Sequence, residues 1–125
     1  MIILDTSVWI AFFKKQTDVF EAARVVLEDG EALGLECVFG ELLQGAKNAR
    51  ERYLILSYWD NLPRANFENV WIEAGRYSGE HKLVSKGVGL IDAVIIISAT
   101  WSNAKVWTLD LKLLRVLQEE MVFSL

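Results

Sequence analysis

Met1-Ile2-Ile3-Leu4-Asp5-Thr6-Ser7-Val8-Trp9-Ile10 opens the chain, and its pattern decides how the rest is read. Four consecutive apolar residues without polar alternation read as a short strand covered on both faces. Asp5-Thr6-Ser7 follows with three side chains that favour helix N-termini, so a short helix is expected over Val8 to Phe13. The stretch therefore reads as a buried strand followed directly by a helix start. The first acid of the chain then falls beyond the carboxyl end of a strand, where open parallel sheets place their ligand sites.

Working outward, the same alternation recurs. Ala32 to Glu36, Lys105 to Leu109 and Met121 to Ser124 read as further strands. Helices are expected over Val19–Glu28, Phe39–Lys47, Arg50–Asn61, Phe67–Ser85, Leu90–Trp101 and Leu111–Glu120. Pro63, the only proline, stops one of them, and Gly87 and Gly89 break another. The helix over Leu90–Trp101 is so apolar that protein must cover both of its sides. Short strands alternating with helices give an α/β class: a three-layer α/β/α sandwich around a mainly parallel sheet, with residues 1–125 as one domain.

Composition narrows the function. The 125 residues are 53% hydrophobic and 24% charged, which suits a packed globular fold. No internal repeat, low-complexity segment or linker interrupts the pattern. The longest run without a charge, Ala93 to Ala104, is too short for a membrane span, and the N-terminus lacks the basic flank of a signal peptide. One cysteine, Cys37, excludes an internal disulfide and fits a cytoplasmic protein; beside Val38 and Phe39 it reads as a small buried hydrophobe. The net charge of −4 argues against a simple electrostatic DNA clamp, but leaves room for a nuclease whose acids are offset by bound metal.

Four acids carry the chemistry. Asp5 and Asp110 each follow a strand, Asp92 starts the apolar Leu90–Trp101 helix, and Glu41 lies among Phe39, Gly40, Leu42 and Leu43. Taken singly, Asp5, Asp92 and Asp110 are explained as helix caps or first-turn acids. Together they meet at one sheet edge, and Glu41 needs only one helix face to join them. Packed carboxylates repel and take up protons unless a hard cation lies among them, which points to Mg²⁺ or Mn²⁺. Zinc is disfavoured, because one His and one Cys fall short of a nitrogen and sulfur ligand set. His81, in Glu80-His81-Lys82, reads as a solvated imidazole.

The segment Met1–Ile10 resembles the opening of PIN domains, in particular VapC-type toxins of type II toxin–antitoxin pairs. Glu41-Leu42-Leu43-Gln44-Gly45-Ala46, Leu90-Ile91-Asp92-Ala93-Val94-Ile95-Ile96 and Thr108-Leu109-Asp110 resemble that family's later acidic motifs, all in order along the chain. Two departures stand out. A basic residue and a proline often found before the third acid are reduced here to Lys86-Gly87-Val88-Gly89-Leu90, and Lys112 stands where some relatives carry an acid. The resemblance implies a helix-flanked sheet, a homodimer, Mg²⁺-dependent RNA cleavage, and inhibition by a cognate antitoxin inserted into the active-site groove. It also implies metal ligation by Asp5 and Asp92, with Glu41 and Asp110 as direct or water-mediated ligands or as groups that orient the attacking water. Thr6, Ser7 and Thr108 become candidates for hydroxyls that fix carboxylate orientation.

For the substrate, Lys14, Lys15, Lys47, Arg50, Arg52, Lys82, Lys86, Lys112 and Arg115 are candidates for phosphate contacts, and the three that follow the Glu41 helix, Lys47, Arg50 and Arg52, draw most interest. Single-stranded loops are the expected targets. Trp9, Phe12, Phe13, Tyr53, Trp59 and Trp71 divide between core packing and a dimer or antitoxin interface. Among rivals, a phosphoreceiver domain wants an acidic pair after its first strand, and a haloacid-dehalogenase-type phosphatase wants an Asp where Ser7 stands. A PIN fold serving only as a binding or scaffolding module is the stronger alternative.

Overall fold

Ile2, Ile3 and Leu4 form β1 (Ile2–Leu4), and all three are buried, as an uninterrupted apolar strand requires when helices cover both sheet faces. The computed structural model describes all 125 residues. β1 is followed by α1 (Thr6–Phe13) and α2 (Thr17–Glu28), then β2 (Gly34–Leu35), α3 (Glu36–Gly45), α4 (Ala49–Asn61) and β3 (Arg64–Ala65). The second half carries α5 (Val70–Glu80), a 3-10 turn (Val84–Lys86), α6 (Leu90–Ser102), β4 (Lys105–Trp107), α7 (Leu111–Val116) and a last 3-10 turn (Glu119–Met121). No helix is long and apolar enough to cross a membrane.

The strands pair in parallel throughout. β1 lies against β4, with Ile2, Ile3 and Leu4 opposite Lys105, Val106 and Trp107; β2 lies against β3, with Gly34 opposite Arg64 and Leu35 opposite Ala65. Single bridges, Ile2 to Ala32 and Val106 to Val122, stitch these pairs into one surface. Across it the order is β3, β2, β1, β4 and then Val122. Each parallel neighbour needs a crossover, and helices supply every one. The first two crossovers build outward from β1 in one direction, while the chain returns to place β4 on its other side. The switch point therefore lies between β1 and β4, and beyond the carboxyl ends of these strands opens the crevice where such sheets bind ligands.

The helices bury two cores. The larger gathers β1, β4, α1, α2, α3 and one side of α6; Val19, Ala23 and Val26 form the inward stripe of α2. Trp9 is central to it, packed on Phe12, Phe13, Phe39 and Tyr58. The smaller core holds Val70, Ala74, Leu83, Val88 and Leu113 against the opposite side of α6. Seven consecutive α6 residues, Ala93 to Ala99, are buried because this helix faces both cores, as its composition requires.

Several boundaries differ from the expected ones. The strand expected over Ala32–Glu36 shrinks to Gly34–Leu35 because Glu36 already starts α3, and the terminal strand over Met121–Ser124 is a single bridge at Val122. The helix expected over Phe67–Ser85 is α5 followed by a turn, with Asn69 and Lys82 in the left-handed region at its two ends. The last helix ends at Val116 rather than Glu120, and β3 lies where a turn was expected. Of the aromatic residues, Trp9 and Phe12 are core, Phe13 and Trp59 half-buried, and Tyr53 and Trp71 exposed.

Candidate active site

The backbone N–H of Asp5 donates to the carbonyl of Trp107, the last residue of β4, at 3.0 Å, which extends the β1–β4 ladder one residue past the end of β1. This bond fixes where the Asp5 side chain can reach. Its carboxylate, in a residue only 4% exposed, accepts from three donors. Ser7 Oγ donates to Oδ1 at 2.5 Å, the Val8 amide to the same oxygen at 3.2 Å, and Thr108 Oγ1 to Oδ2 at 2.5 Å. Both hydroxyls also accept an amide: Leu109 donates to Ser7 Oγ across the strand ends, and Asp110 donates to Thr108 Oγ1 within its own loop, each at 3.0 Å. The two loops that leave β1 and β4 are thus laced by reciprocal hydroxyl bonds, and the Asp5 carboxylate is locked in orientation.

The other acids arrive from separate elements. Asp110 caps α7 by accepting the Lys112 amide at 2.8 Å on Oδ1, and its residue is exposed. Asp92 sits in the first turn of α6, where Gly89 donates its amide toward Oδ2 at 3.4 Å. Glu41, half-exposed in the middle of α3, accepts from Thr6 Oγ1 at 2.7 Å. Capping and clustering are therefore not alternatives here: Asp5 and Asp110 cap helices and face one another. Sequence reasoning singled out Thr6, Ser7 and Thr108 beside the four acids, and each of the three bonds one of those carboxylates.

Burial pushes the Asp5 carboxyl above its ordinary range, with bonds from Ser7, Thr108 and Val8 opposing it and the charge of Asp110 adding to it. Asp92 is also raised, first by burial and then by the charges of Asp110, Asp5 and Glu41, against the Gly89 amide. Cys37, one helical turn before Glu41, is pushed up to about 12 by burial and by the charges of Glu41 and Asp92. Its place beside the acids was not read from the sequence, although its i, i+4 spacing to Glu41 on a helix carried the signal. A thiol so reluctant to ionise is a poor metal ligand, because a ligating sulfur must be thiolate.

A divalent cation fits this donor set in chemistry: the converging groups are carboxylate oxygens, without nitrogen or thiolate sulfur, and their repulsion is what a hard cation relieves. In their present orientations no three acids, histidines or cysteines stand close enough to hold one ion. Both Asp5 oxygens are turned to hydroxyls, so ligation requires the remaining acids to rotate toward it. Glu41 also opens onto a groove of about 390 Å³ between α1, α3 and α4, with Ile10, Phe13, Leu42 and Leu54 on its walls and Lys14 and Lys47 at its rim.

An α/β domain with an acidic centre at the switch point of a parallel sheet is the class that fold and site define. The PIN domain family matches residues 2–117, and this chain belongs to it. Its fold is similar to that in the crystal structure of VapBC2 from Rickettsia felis bound to a DNA fragment from their promoter, at 22% identity and a TM-score of 0.65 over 98% of this chain and 96% of that one. It is also similar to that in VapBC-1 from nontypeable Haemophilus influenzae, at 21% identity and a TM-score of 0.69 over 92% of this chain and 91% of that one. No curated protein sequence matches the chain.

Proposed function

We propose that this protein is a divalent-metal-dependent endoribonuclease, the toxin of a toxin–antitoxin pair acting in the cytoplasm. The observation that carries the proposal is the Asp5 carboxylate held at the β1–β4 switch point by Ser7 and Thr108, with Asp110 bonded to Thr108 through its amide and Glu41 bonded to Thr6, in a PIN-family chain. Asp5 and Asp92 would hold the ion, Mg²⁺ or Mn²⁺, with Glu41 and Asp110 completing the set directly or through water. When bound, such an ion lowers the pKa of a coordinated water and offsets charge on the phosphate. Ser7 and Thr108 keep the Asp5 carboxylate aimed by donating to its two oxygens, and oppose the rise that burial imposes on it. Thr6 does the same for Glu41. No imidazole is assigned to the ion: the one histidine, His81, stacks on Tyr77 and bonds its carbonyl.

The partner is proposed to be a cognate antitoxin whose apolar segment enters the groove beside Glu41; both similar structures are of VapBC assemblies. A homodimer is proposed as well, and the exposed Trp71 and Ile72 on α5 are candidates for its interface. Incubation of the purified chain with structured RNAs in Mg²⁺ or Mn²⁺ tests the activity. Cleavage by the wild type, abolished by EDTA and by Asp5→Asn or Asp92→Asn in folded protein, is the expected result. Full activity of either variant refutes the assignment. The competing reading, a PIN-fold module without catalysis, is favoured by the lack of three acids gathered tightly enough for one ion. Calorimetric titration with Mn²⁺ separates the two, because a silent module shows no binding that Asp92→Asn removes.

A further inference from the structure

Lys86, Lys112 and Arg115 converge on a cavity of about 500 Å³, with His81 and Tyr77 on the same wall and no acid anywhere in its lining. This runs against the composition, in which 17 acids outnumber 13 lysines and arginines. The four ion pairs of the protein all belong to Arg24 and Arg76, so the three cations here have no carboxylate partner. α7 puts Lys112 and Arg115 at i, i+3 on one face, a spacing at which like charges repel. An arriving polyanion removes that repulsion.

The cavity adjoins the acidic centre. Lys112 reaches across the loop that leads into α6: a Cβ built on Gly87, whose φ is +78°, would lie 2.8 Å from Lys112 Cδ. The positive φ favours glycine there, and any larger residue would push the lysine chain aside. The backbone of the same lysine donates to Asp110, and Gly89, two residues beyond Gly87, donates to Asp92. The two departures from the family pattern, Lys86–Leu90 and Lys112, thus meet at one place. On the wall, the exposed His81 imidazole is stacked on Tyr77 with ring centres 4.0 Å apart and planes 24° from parallel. Its Nδ1 lies 2.9 Å from the Tyr77 carbonyl, which holds the ring in place.

We propose that this cavity is a subsite for single-stranded RNA next to the cleavage centre, seating backbone phosphates on Lys86, Lys112 and Arg115 and one base on the His81 ring. It rests on the ribonuclease reading above. Cations that track a backbone, joined to a flat π surface, are what unpaired nucleotides use; an acidic peptide has no need of the stacked ring.

The test measures anisotropy of a labelled single-stranded oligoribonucleotide in EDTA over a range of salt. It compares wild type with the triple variant Lys86→Gln, Lys112→Gln, Arg115→Gln. A charge-matched control, Arg24→Gln, Arg64→Gln, Lys105→Gln, changes exposed residues outside the cavity. Each phosphate contact on a single strand contributes about 0.7 to the slope of log affinity against log salt, so the cavity variant should lose about 2 in slope. Over the decade of salt below 1 M that is roughly a hundredfold in affinity at 0.1 M. The control should keep the wild-type slope. His81→Ala should weaken binding by about fivefold or more with the slope unchanged, since stacking releases no counterions.

An unaltered slope in the cavity variant, or no wild-type binding, overturns the proposal. Displacement of the RNA by polyglutamate of equal charge as readily as by unlabelled RNA also overturns it, in favour of an acidic protein partner. Cleavage assays in Mn²⁺ run in parallel keep the readings apart. Loss of slope without any cleavage by wild type sinks the ribonuclease while the RNA subsite stands, and cleavage with an unaltered slope sinks the subsite alone.

Discussion

Thr108→Val removes one oxygen from the centre of the site and keeps the side-chain shape. The residue is 8% exposed, and its hydroxyl makes two bonds, donating to Asp5 Oδ2 at 2.5 Å and accepting the Asp110 amide at 3.0 Å. A hydrogen bond to a charged group contributes about 1.5–3 kcal/mol, and the lost donor leaves that carboxylate oxygen buried without a partner. The Asp110 amide adds little, because its residue is exposed and water can replace the bond. The expected loss is about 2–3 kcal/mol. For 125 residues the unfolding midpoint moves about 4 °C per kcal/mol, so a drop of about 8–12 °C is expected in a thermal scan at pH 8 without metal.

The pH dependence of that drop has a definite sign. The Thr108 bond is among the groups that hold the Asp5 carboxyl down against burial, so its loss raises Asp5 further. Only ionised Asp5 misses the donor. The deficit is therefore full above the pKa that Asp5 has in the variant and shrinks as pH falls through it. Thr108→Ser keeps the hydroxyl and should stay within about 4 °C of wild type. If Thr108→Val melts within about 2 °C of wild type at pH 8, or if Ser falls as far as Val, the hydroxyl does not support the carboxylate and the reasoning fails.

Other perturbations reach different parts of the structure. Asp92 is raised by burial and by neighbouring acids, so its ionisation opposes folding: the metal-free protein should lose stability as pH rises through its carboxyl range, and Asp92→Asn should match or exceed wild type at pH 8. Mn²⁺ at about 100 times its dissociation constant should add about 2.7 kcal/mol to wild type, near 10 °C in midpoint, and nothing to Asp92→Asn; an equal rise in both places the ion elsewhere. Cys37, with its thiol pushed up to about 12, should resist iodoacetamide at pH 8 in the folded protein and react rapidly in urea, which mass spectrometry would follow. Rapid alkylation of the folded chain contradicts the raised thiol, since the half-buried side chain is not shielded outright. Leu113 is fully buried and anchors α7 to α6; Leu113→Ala should cost about 2–5 kcal/mol in a urea titration, and a loss below about 1 kcal/mol means that α7 is not packed as described.

Much of the fold was legible because its signals are local. Ile2-Ile3-Leu4 ending in Asp5 marks a buried strand and a cap within a few residues, and the unbroken apolar run of α6 announces a helix covered on both sides. β3 was not legible: Arg64 and Ala65 carry no strand pattern, and two residues become a strand only because β2 offers them a ladder. The left-handed turn at Lys82 that ends α5 early left no comparable trace, since positive φ in a lysine is set by surrounding packing.

The sequence by itself determined most element types and placed Asp5, Asp92 and Asp110 beside strand ends and helix starts, because caps, strand runs and helical periodicity depend on near neighbours; Glu41, expected early in its helix, lies in the middle of α3, which starts at Glu36. Tertiary structure decided which strands pair, and with them the switch point that brings Asp5 and Thr108, 103 residues apart, into one hydrogen bond. It also decided which of the scattered cations meet: Lys86, Lys112 and Arg115 share a cavity, while Lys47, Arg50 and Arg52, more suggestive in sequence, do not converge on it. The physical reason is the same in both cases. A contact between distant segments is selected by burial of the whole core, and no short window of residues contains that information.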